Sequence, residues 1–407
     1  MNSPRLLLVV SHVLHYRDGG KLYAYGPYAR EIDVWADLFP WLAIAAPCRD
    51  EKPPGDWVAF TRPNISIVPQ REAGGDSWLA KVKQMLSLPL LVRDLSRAMW
   101  LADAIHVRCP GNLGVLGVLL APMFSGRLVA KYAGQWNGYP GERFALRLQR
   151  NVLRSWWWHG PVTVYGVWPN EPKHVIPFFT SMMTDEMVKR AAVVASGKMI
   201  RRPLRVLFSG RLAAEKRVSA LLAAAKIVAD RGIALELALV GGGVEEASLR
   251  KQAADLGLQK LVKFVGSVPF EAGLEWCEWA HCLVLPSVNS EGWPKAIAEG
   301  MCYGLVCIGV DHGQVSRMLE GRGIVLKSGT PQEIADALQR IAERPQEFEE
   351  MRRKASAWAG QYSLDGLREA LRDLLNRHWD VSLSSPNNCR LQKVDVVYEP
   401  DRCPAGL

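Results

Sequence analysis

The chain predicts an α/β protein built from two doubly wound parallel-sheet domains. Its 407 residues exceed what one ordinary core accommodates. Short β-rich runs alternate with helical patterns along both halves. The strands are continuous apolar runs rather than alternating ones, as expected where helices cover both faces of a sheet.

In the first half the run Leu-Leu-Leu-Val-Val at 6–10 follows a single arginine. It is too short for the apolar part of a signal peptide and reads as a first buried strand. Further strands are expected at 42–46, 65–68, 104–107, 127–131, 162–165 and 175–178, with helices at 23–38, 77–99, 114–123 and 142–157. The basic run SGKMIRRP near 195–203 separates the two halves. Beyond it the alternation is more regular, with strands at 205–209, 235–240, 262–265, 282–286, 306–310 and 324–326. Helices at 218–231, 245–256 and 331–342 lie between them, and 364–378 reads as a terminal helix. The expected divisions are a first domain at 1–195, a second at 196–362, a helix at 363–380 packing back towards the first domain, and a flexible tail at 381–407.

Composition is that of a globular protein, with 49% hydrophobic and 22% charged residues. The eight cysteines form no C-x-x-C pair, so no zinc site is evident and a reduced, cytoplasmic protein is expected. No stretch reaches the length of a membrane span. The formal charge is +9, and Arg143, Arg147, Arg150 and Arg154 recur at helical spacing just before Trp156, Trp157 and Trp158. Basic residues beside tryptophans fit an anionic membrane surface, and they fit equally a solvated basic face over core tryptophans. No recognised nucleic-acid motif accompanies the charge, so nucleic acid is not an expected partner.

Ligands of parallel α/β sheets bind beyond the carboxyl ends of the strands. There the second half carries Ser209-Gly210-Arg211, Gly241-Gly242-Gly243, Gly266-Ser267-Val268 and the segment Ser290-Glu-Gly-Trp-Pro-Lys-Ala-Ile-Ala-Glu299. Arg211 and Lys216 share one loop and can converge on an anion whose charge builds during bond cleavage. Pro294 suits the first position of a helix, which places Glu291 just outside its N-terminus and Glu299 inside it. Free N–H groups at a helix N-terminus suit phosphate, and carboxylates accept hydrogen bonds from hydroxyls. The array fits a molecule with phosphate between two hydroxyl-rich groups, such as a nucleotide-sugar. Its bland counterpart is two solvated glutamates on a surface helix. In the first half Gly19-Gly20 would allow close backbone approach to a phosphate, and His106 lies in the strand Asp-Ala-Ile-His-Val-Arg at 103–108. Neither G-x-G-x-x-G nor Asp-x-Asp occurs where a dinucleotide or a metal-bound diphosphate would need it.

Over 205–326 the motifs VLFSGRLAAEKR, LVGGG, VKFVGSV, LPS, SEGWPKAIAEGMCYG and GIVL resemble, in order, those of retaining glycosyltransferases of the GT-B fold, family GT4, with its E-x7-E motif. The resemblance implies two Rossmann-like domains facing each other across a cleft, a nucleotide-sugar donor, a saccharide or lipid-linked acceptor, and no metal. It assigns Arg211 and Lys216 to the donor diphosphate, Glu291 to the transferred sugar and Glu299 to the ribose. Gly292, Trp293, Lys295 and Ala296 would contact sugar and phosphates, and Val268 would border the base. His106 stands in for a catalytic histidine, because many relatives carry a second histidine where this chain has Arg108. Pro294 replaces a frequent glycine, and Pro177-Phe178-Phe179 replaces the usual P-N-G near the domain junction. The implied setting is polysaccharide or glycolipid assembly on the inner face of a membrane. The rival readings are a GT-B phosphorylase and a catalytically decayed binding protein.

Overall fold

Two parallel sheets in series organise the computed structural model, which describes residues 3–55, 57–72, 78–139, 142–287 and 292–383. The first half contains β1 (Leu6–Val10), β2 (His15–Asp18), β3 (Lys21–Tyr25), α1 (Gly26–Ala36), β4 (Trp41–Arg49), β5 (Trp57–Ala59) and β6 (Ile65–Gln70). It continues through α2 (Trp78–Trp100), β7 (Ala104–Cys109), α3 (Asn112–Leu120), β8 (Leu128–Tyr132), α4 (Phe144–Arg154), β9 (Val162–Tyr165) and β10 (Val175–Phe178). Its main strands lie in the order β10-β9-β8-β7-β1-β4, with β6 beside β4. Side chains alternate across this sheet, so Leu8 and Val10 enter one core while Leu7 and Val9 enter the other. That two-sided burial is why β1 reads as an unbroken apolar run.

After α5 (Asp185–Gly197) the second half runs β11 (Leu204–Ser209), α6 (Val218–Asp230), β12 (Leu235–Val240), α7 (Glu246–Asp255), β13 (Val262–Gly266), α8 (Phe270–Trp279) and β14 (Cys282–Leu285). Then come α9 (Lys295–Cys302), β15 (Val306–Val310), α10 (Val315–Leu319), β16 (Ile324–Leu326), α11 (Pro331–Glu343), α12 (Glu349–Ala359) and α13 (Leu364–Trp379). The strands lie in the order β13-β12-β11-β14-β15-β16, and every pairing between them is parallel. A capping box starts α11: the Thr330 side chain accepts from the Glu333 amide, and Glu333 reaches back to the Thr330 amide.

The last helix returns to the first domain. Leu367, Leu371 and Leu375 of α13, four residues apart, join Ile32 and Trp35 of α1 in one core. Full burial of each leucine contributes about 1.5–3 kcal/mol. Arg368 adds an ion pair to Asp37 at 2.8 Å. The chain therefore crosses between its halves twice.

Three sequence expectations change. The helix expected from Tyr23 begins at Gly26, because Tyr23–Tyr25 pair as β3 with β2 and β5 instead. Gly19 and Gly20 have φ of 55° and 74° and form the two-residue turn between β2 and β3. Such a turn needs positive φ at both positions, which accounts for both glycines. The tail expected to be mobile from Val381 begins later, since Leu383 is buried against the α1–α13 core and its amide donates to Asn376. Residues 384–407 and Glu291 lie outside the described residues.

Candidate functional site

At the carboxyl ends of β11, β12 and β13 three glycine loops interlock through their backbones. The Gly241 amide donates to the Gly266 carbonyl at 2.9 Å, and the Leu212 amide donates to the Gly242 carbonyl at 2.9 Å. A Cβ at Gly241 would lie 2.0 Å from the Gly210 carbonyl oxygen, and one at Gly243 would lie 2.2 Å from that of Leu212. These contacts exclude any side chain, so the glycines are fixed by packing. The interlock holds Arg211 outwards with its side chain 73% exposed, near Glu215 at 3.4 Å. Lys216 follows in a short 3-10 turn, half-buried. Ser287 ties β14 to that turn by donating to the Glu215 carbonyl at 3.3 Å. Val268, the expected base neighbour, lies half-buried beyond β13.

Pro294 is the N-cap of α9, one position earlier than expected, and Lys295 and Ala296 are the first helical residues. The first N–H groups of a helix have no intrahelical acceptor, and among the described residues those of Lys295 and Ala296 have no backbone acceptor. Four residues on, Glu299 lines a small pocket with Lys295, Trp293 and the crossover residues Thr180 and Ser181. Burial pushes the Glu299 carboxyl up to about 7, against the pull of Lys295 and Arg30. Arg30 belongs to α1, so a charge of the first domain acts on a carboxylate of the second.

The two domains touch at this element. A Cβ at Gly292 would lie 2.8 Å from the Tyr165 ring, 3.0 Å from the Ala133 carbonyl oxygen and 3.1 Å from that of Gly134. Trp293 packs among Tyr165, Phe179, Trp358 and Tyr362, with ring centroids 5.2–6.4 Å away. Arg30 pairs with Glu271 of α8 at 2.5 Å at one end of the seam, and Arg317 of α10 lies 4.7 Å over the Trp168 ring at the other. Gly292, Trp293, Lys295, Ala296 and Glu299 therefore sit together in the cleft, with Arg211 and Lys216 at the end of the central strand β11.

The first domain's side of the cleft differs from expectation. His106 lies within β7 rather than at its end, 0% exposed. Its ring is 4.2 Å from that of Trp35, and neither ring nitrogen has a partner among the described residues. Burial, helped by Arg108, lowers its pKa to about 3, so it is neutral and sealed from any substrate. His106 is a core residue. On the same face of β7, Arg108 reaches Glu31 of α1 at 2.5 Å, and Lys131 of β8 reaches the other Glu31 oxygen at 2.7 Å. The Thr180 hydroxyl also donates to Glu31 at 3.2 Å. Burial pushes the Glu31 carboxyl up, but Arg108 and Lys131 outweigh it and hold it well below the usual carboxylate range. Lys131 lies 5.3 Å over the Tyr165 ring, one side chain away from Gly292.

Sequence reading missed this network and the reach of Arg30. Signals were present: Glu31 sits between Tyr28 and Trp35 on the apolar stripe of α1, and Lys131 interrupts an otherwise apolar strand. A charge in such a place needs a partner.

The basic stripe of α4 also divides. Arg150 is 3% exposed and pairs with Glu142, and Arg154 pairs with Glu171 at 2.6 Å. Only Arg143 and Arg147 face outwards. Trp158 is buried and Trp156 is 88% exposed, while Trp157 donates to the Leu119 carbonyl at 3.2 Å. Phe144 and Leu148 of α4, Leu119 of α3 and Met123 in the turn after α3 are exposed as well.

Comparison with known proteins places this geometry. Residues 197–358 match the profile of the family described as glycosyl transferases group 1. Among curated proteins, the amylovoran biosynthesis glycosyltransferase AmsK of Erwinia amylovora is 30% identical over 151 residues, 35% of this chain and 37% of that protein. The alpha-D-kanosaminyltransferase of Streptomyces kanamyceticus is 28% identical over 209 residues, 50% of this chain and 54% of that protein. The chain thus matches about a third to a half of the length of such relatives. Among solved structures, sucrose-phosphate synthase from Thermosynechococcus elongatus superposes with a TM-score of 0.68 at 18% identity, covering 93% of this chain and all of the other. Anabaena Alr3699/HepE in complex with UDP and glucose superposes with a TM-score of 0.65 at 15% identity, covering 91% and 99%. These likenesses bear out the GT-B fold.

Proposed function

Starting from a GT-B chain whose second domain matches the glycosyl transferases group 1 family, we propose that this protein is a retaining glycosyltransferase. It moves a sugar from a nucleotide-sugar donor to an acceptor alcohol in polysaccharide or glycolipid assembly. The observation that carries this reading is α9: amides at its N-terminus without intrahelical acceptors, Glu299 one turn inside, and Gly292 pressed against the first domain. A diphosphate at those amides would meet helix-dipole charge from one side and Arg211 and Lys216 from the other. Glu299 would accept from ribose hydroxyls, and Glu291, in the same motif, would face the transferred sugar. That UDP is bound in the HepE complexes supports a nucleotide donor.

With His106 sealed in the core, that histidine does not serve as general base here. The leaving phosphate itself then takes the acceptor proton, with Arg211 and Lys216 compensating its growing charge. No metal enters this scheme, so chelation by EDTA should leave turnover unchanged.

The exposed apolar residues on and beside α3 and α4 support a lipid-linked acceptor held at a membrane. Phe144 is 75%, Met123 67% and Trp156 88% exposed, and Arg143 and Arg147 flank them. No helix among the described residues is long and apolar enough to cross a membrane.

A screen of UDP-, GDP- and ADP-sugars, with product analysed for anomeric configuration, tests the main reading. Donor turnover with retention is expected from one of them. Inversion, or phosphate-dependent cleavage in place of transfer, would overturn it.

A further inference from the structure

A second cavity lies in the seam, away from the glycine loops and beside the β16 edge of the second sheet. It measures about 500 Å³, within the usual range for a ligand site, and Trp293 forms part of its wall. Trp293 also lines the pocket of Glu299, so the two spaces adjoin.

Two features define its chemistry. Arg317 lies 4.7 Å over the Trp168 ring and Arg322 lies 4.8 Å over the Trp358 ring. Arg322 spends Nε and one terminal nitrogen on the carbonyls of Met318 and Arg317. Neither arginine forms an ion pair with a carboxylate among the described residues, although Glu320 also lines the cavity. Stacking fixes the two guanidiniums without neutralising them. Phe179, Trp358 and Tyr362 give the wall an aromatic part, beside Gln314 and Met318.

An inorganic anion would satisfy the arginines and leave the aromatic part of the wall without a partner. An uncharged sugar would cover ring faces and leave two cations uncompensated. A sugar ring bearing a carboxylate satisfies both. We propose that this cavity is a subsite for an acidic saccharide unit, and that the acceptor carries that unit next to the alcohol that is glycosylated. The inference rests on the cleft being the transferase site proposed above and specifies the acceptor class for it. A nucleotide also combines a ring with an anion. The donor reading places it instead at the opposite side of the second sheet, against β11 to β13 and the start of α9.

Calorimetry on the full chain with methyl β-D-glucuronide and methyl β-D-glucoside tests this, with UDP titrated separately. The glucuronide should bind at least fivefold more tightly than the glucoside in low salt, and the preference should shrink as salt rises. Arg317→Gln and Arg322→Gln should each abolish most of that preference while leaving glucoside and UDP affinity unchanged. Equal affinity for the two glycosides, or a preference that survives both substitutions, would overturn the proposal. Displacement of the glucuronide by UDP would also overturn it, by giving the cavity to the nucleotide. Loss of nucleotide binding altogether would instead count against the donor site, which the separate UDP titration reads on its own.

Discussion

The two domains share one plan but use charge in opposite ways. In the second, the charged candidates stand at the surface of a glycine scaffold: Arg211 is 73% exposed and its neighbour Glu215 37%. In the first, the charges of β7, β8 and α1 are sealed inside: Glu31 is 3%, Lys131 5% and Arg108 11% exposed at the side chain. An exposed cation is available to a ligand and adds little to stability. A buried ionic cluster is worth little as a ligand site and is costly to break. The second domain thus presents chemistry, and the first holds shape against it through Tyr165 and the Ala133–Gly134 backbone.

The largest expected effect tests that contrast through stability. Glu31→Gln leaves Arg108 and Lys131 without their counter-charge and should lower unfolding free energy by about 3–5 kcal/mol. Glu215→Gln, which breaks an exposed pair, should change it by less than about 1 kcal/mol. Urea denaturation of the two variants measures both, and equal costs would erase the distinction.

Turnover should show the reverse asymmetry. Lys216→Ala and Arg211→Ala should each lower it by about 10²–10³, on the order of 2–4 kcal/mol of transition-state stabilisation. Folding should be almost unaffected. Steady-state rates near wild type in a correctly folded variant would remove both residues from the donor site.

The second domain was legible in its sequence because its site rests on local backbone requirements. Gly241 and Gly243 are demanded by contacts within 2.0–2.8 Å, and Pro294 marks the start of α9, so motif and structure coincide. The first domain's features depend on long-range pairing that spacing does not encode. Glu31 meets residues 77 and 100 positions away, and Arg150 turns inwards because Glu142 and Tyr132 accept its hydrogen bonds. The α4 arginines looked uniform in sequence for that reason. His106, likewise, looked available because its burial depends on Trp35 of α1, distant in sequence and packed on the same sheet face.

A smaller effect distinguishes the two halves of the α4 stripe. Arg143→Gln and Arg147→Gln should each weaken binding to anionic vesicles by about 1 kcal/mol. Phe144→Ser and Trp156→Ser should weaken it further by removing apolar contact. Arg154→Gln, whose charge is paired with Glu171, should leave vesicle binding unchanged in sedimentation assays. Equal effects from all three arginines would mean the stripe acts as a single solvated face.

The most direct test of the donor site is calorimetric titration of UDP, GDP and ADP into wild type, Glu299→Gln and the surface variant Trp156→Ser. One nucleotide should bind wild type and Trp156→Ser alike, and at least tenfold more weakly to Glu299→Gln. With the Glu299 carboxyl raised from 4.5 to about 7, the free protein holds a proton there that the unfolded chain has lost. Its contribution to stability is present below about 4.5 and is lost as pH rises through 7. The ionised carboxylate accepts from ribose hydroxyls more strongly than the protonated one, so wild-type affinity should fall as pH drops below about 7, and the Glu299→Gln profile should lack that fall. Glu299→Gln binding the nucleotide as tightly as wild type, with the same pH profile, would contradict a donor site at α9.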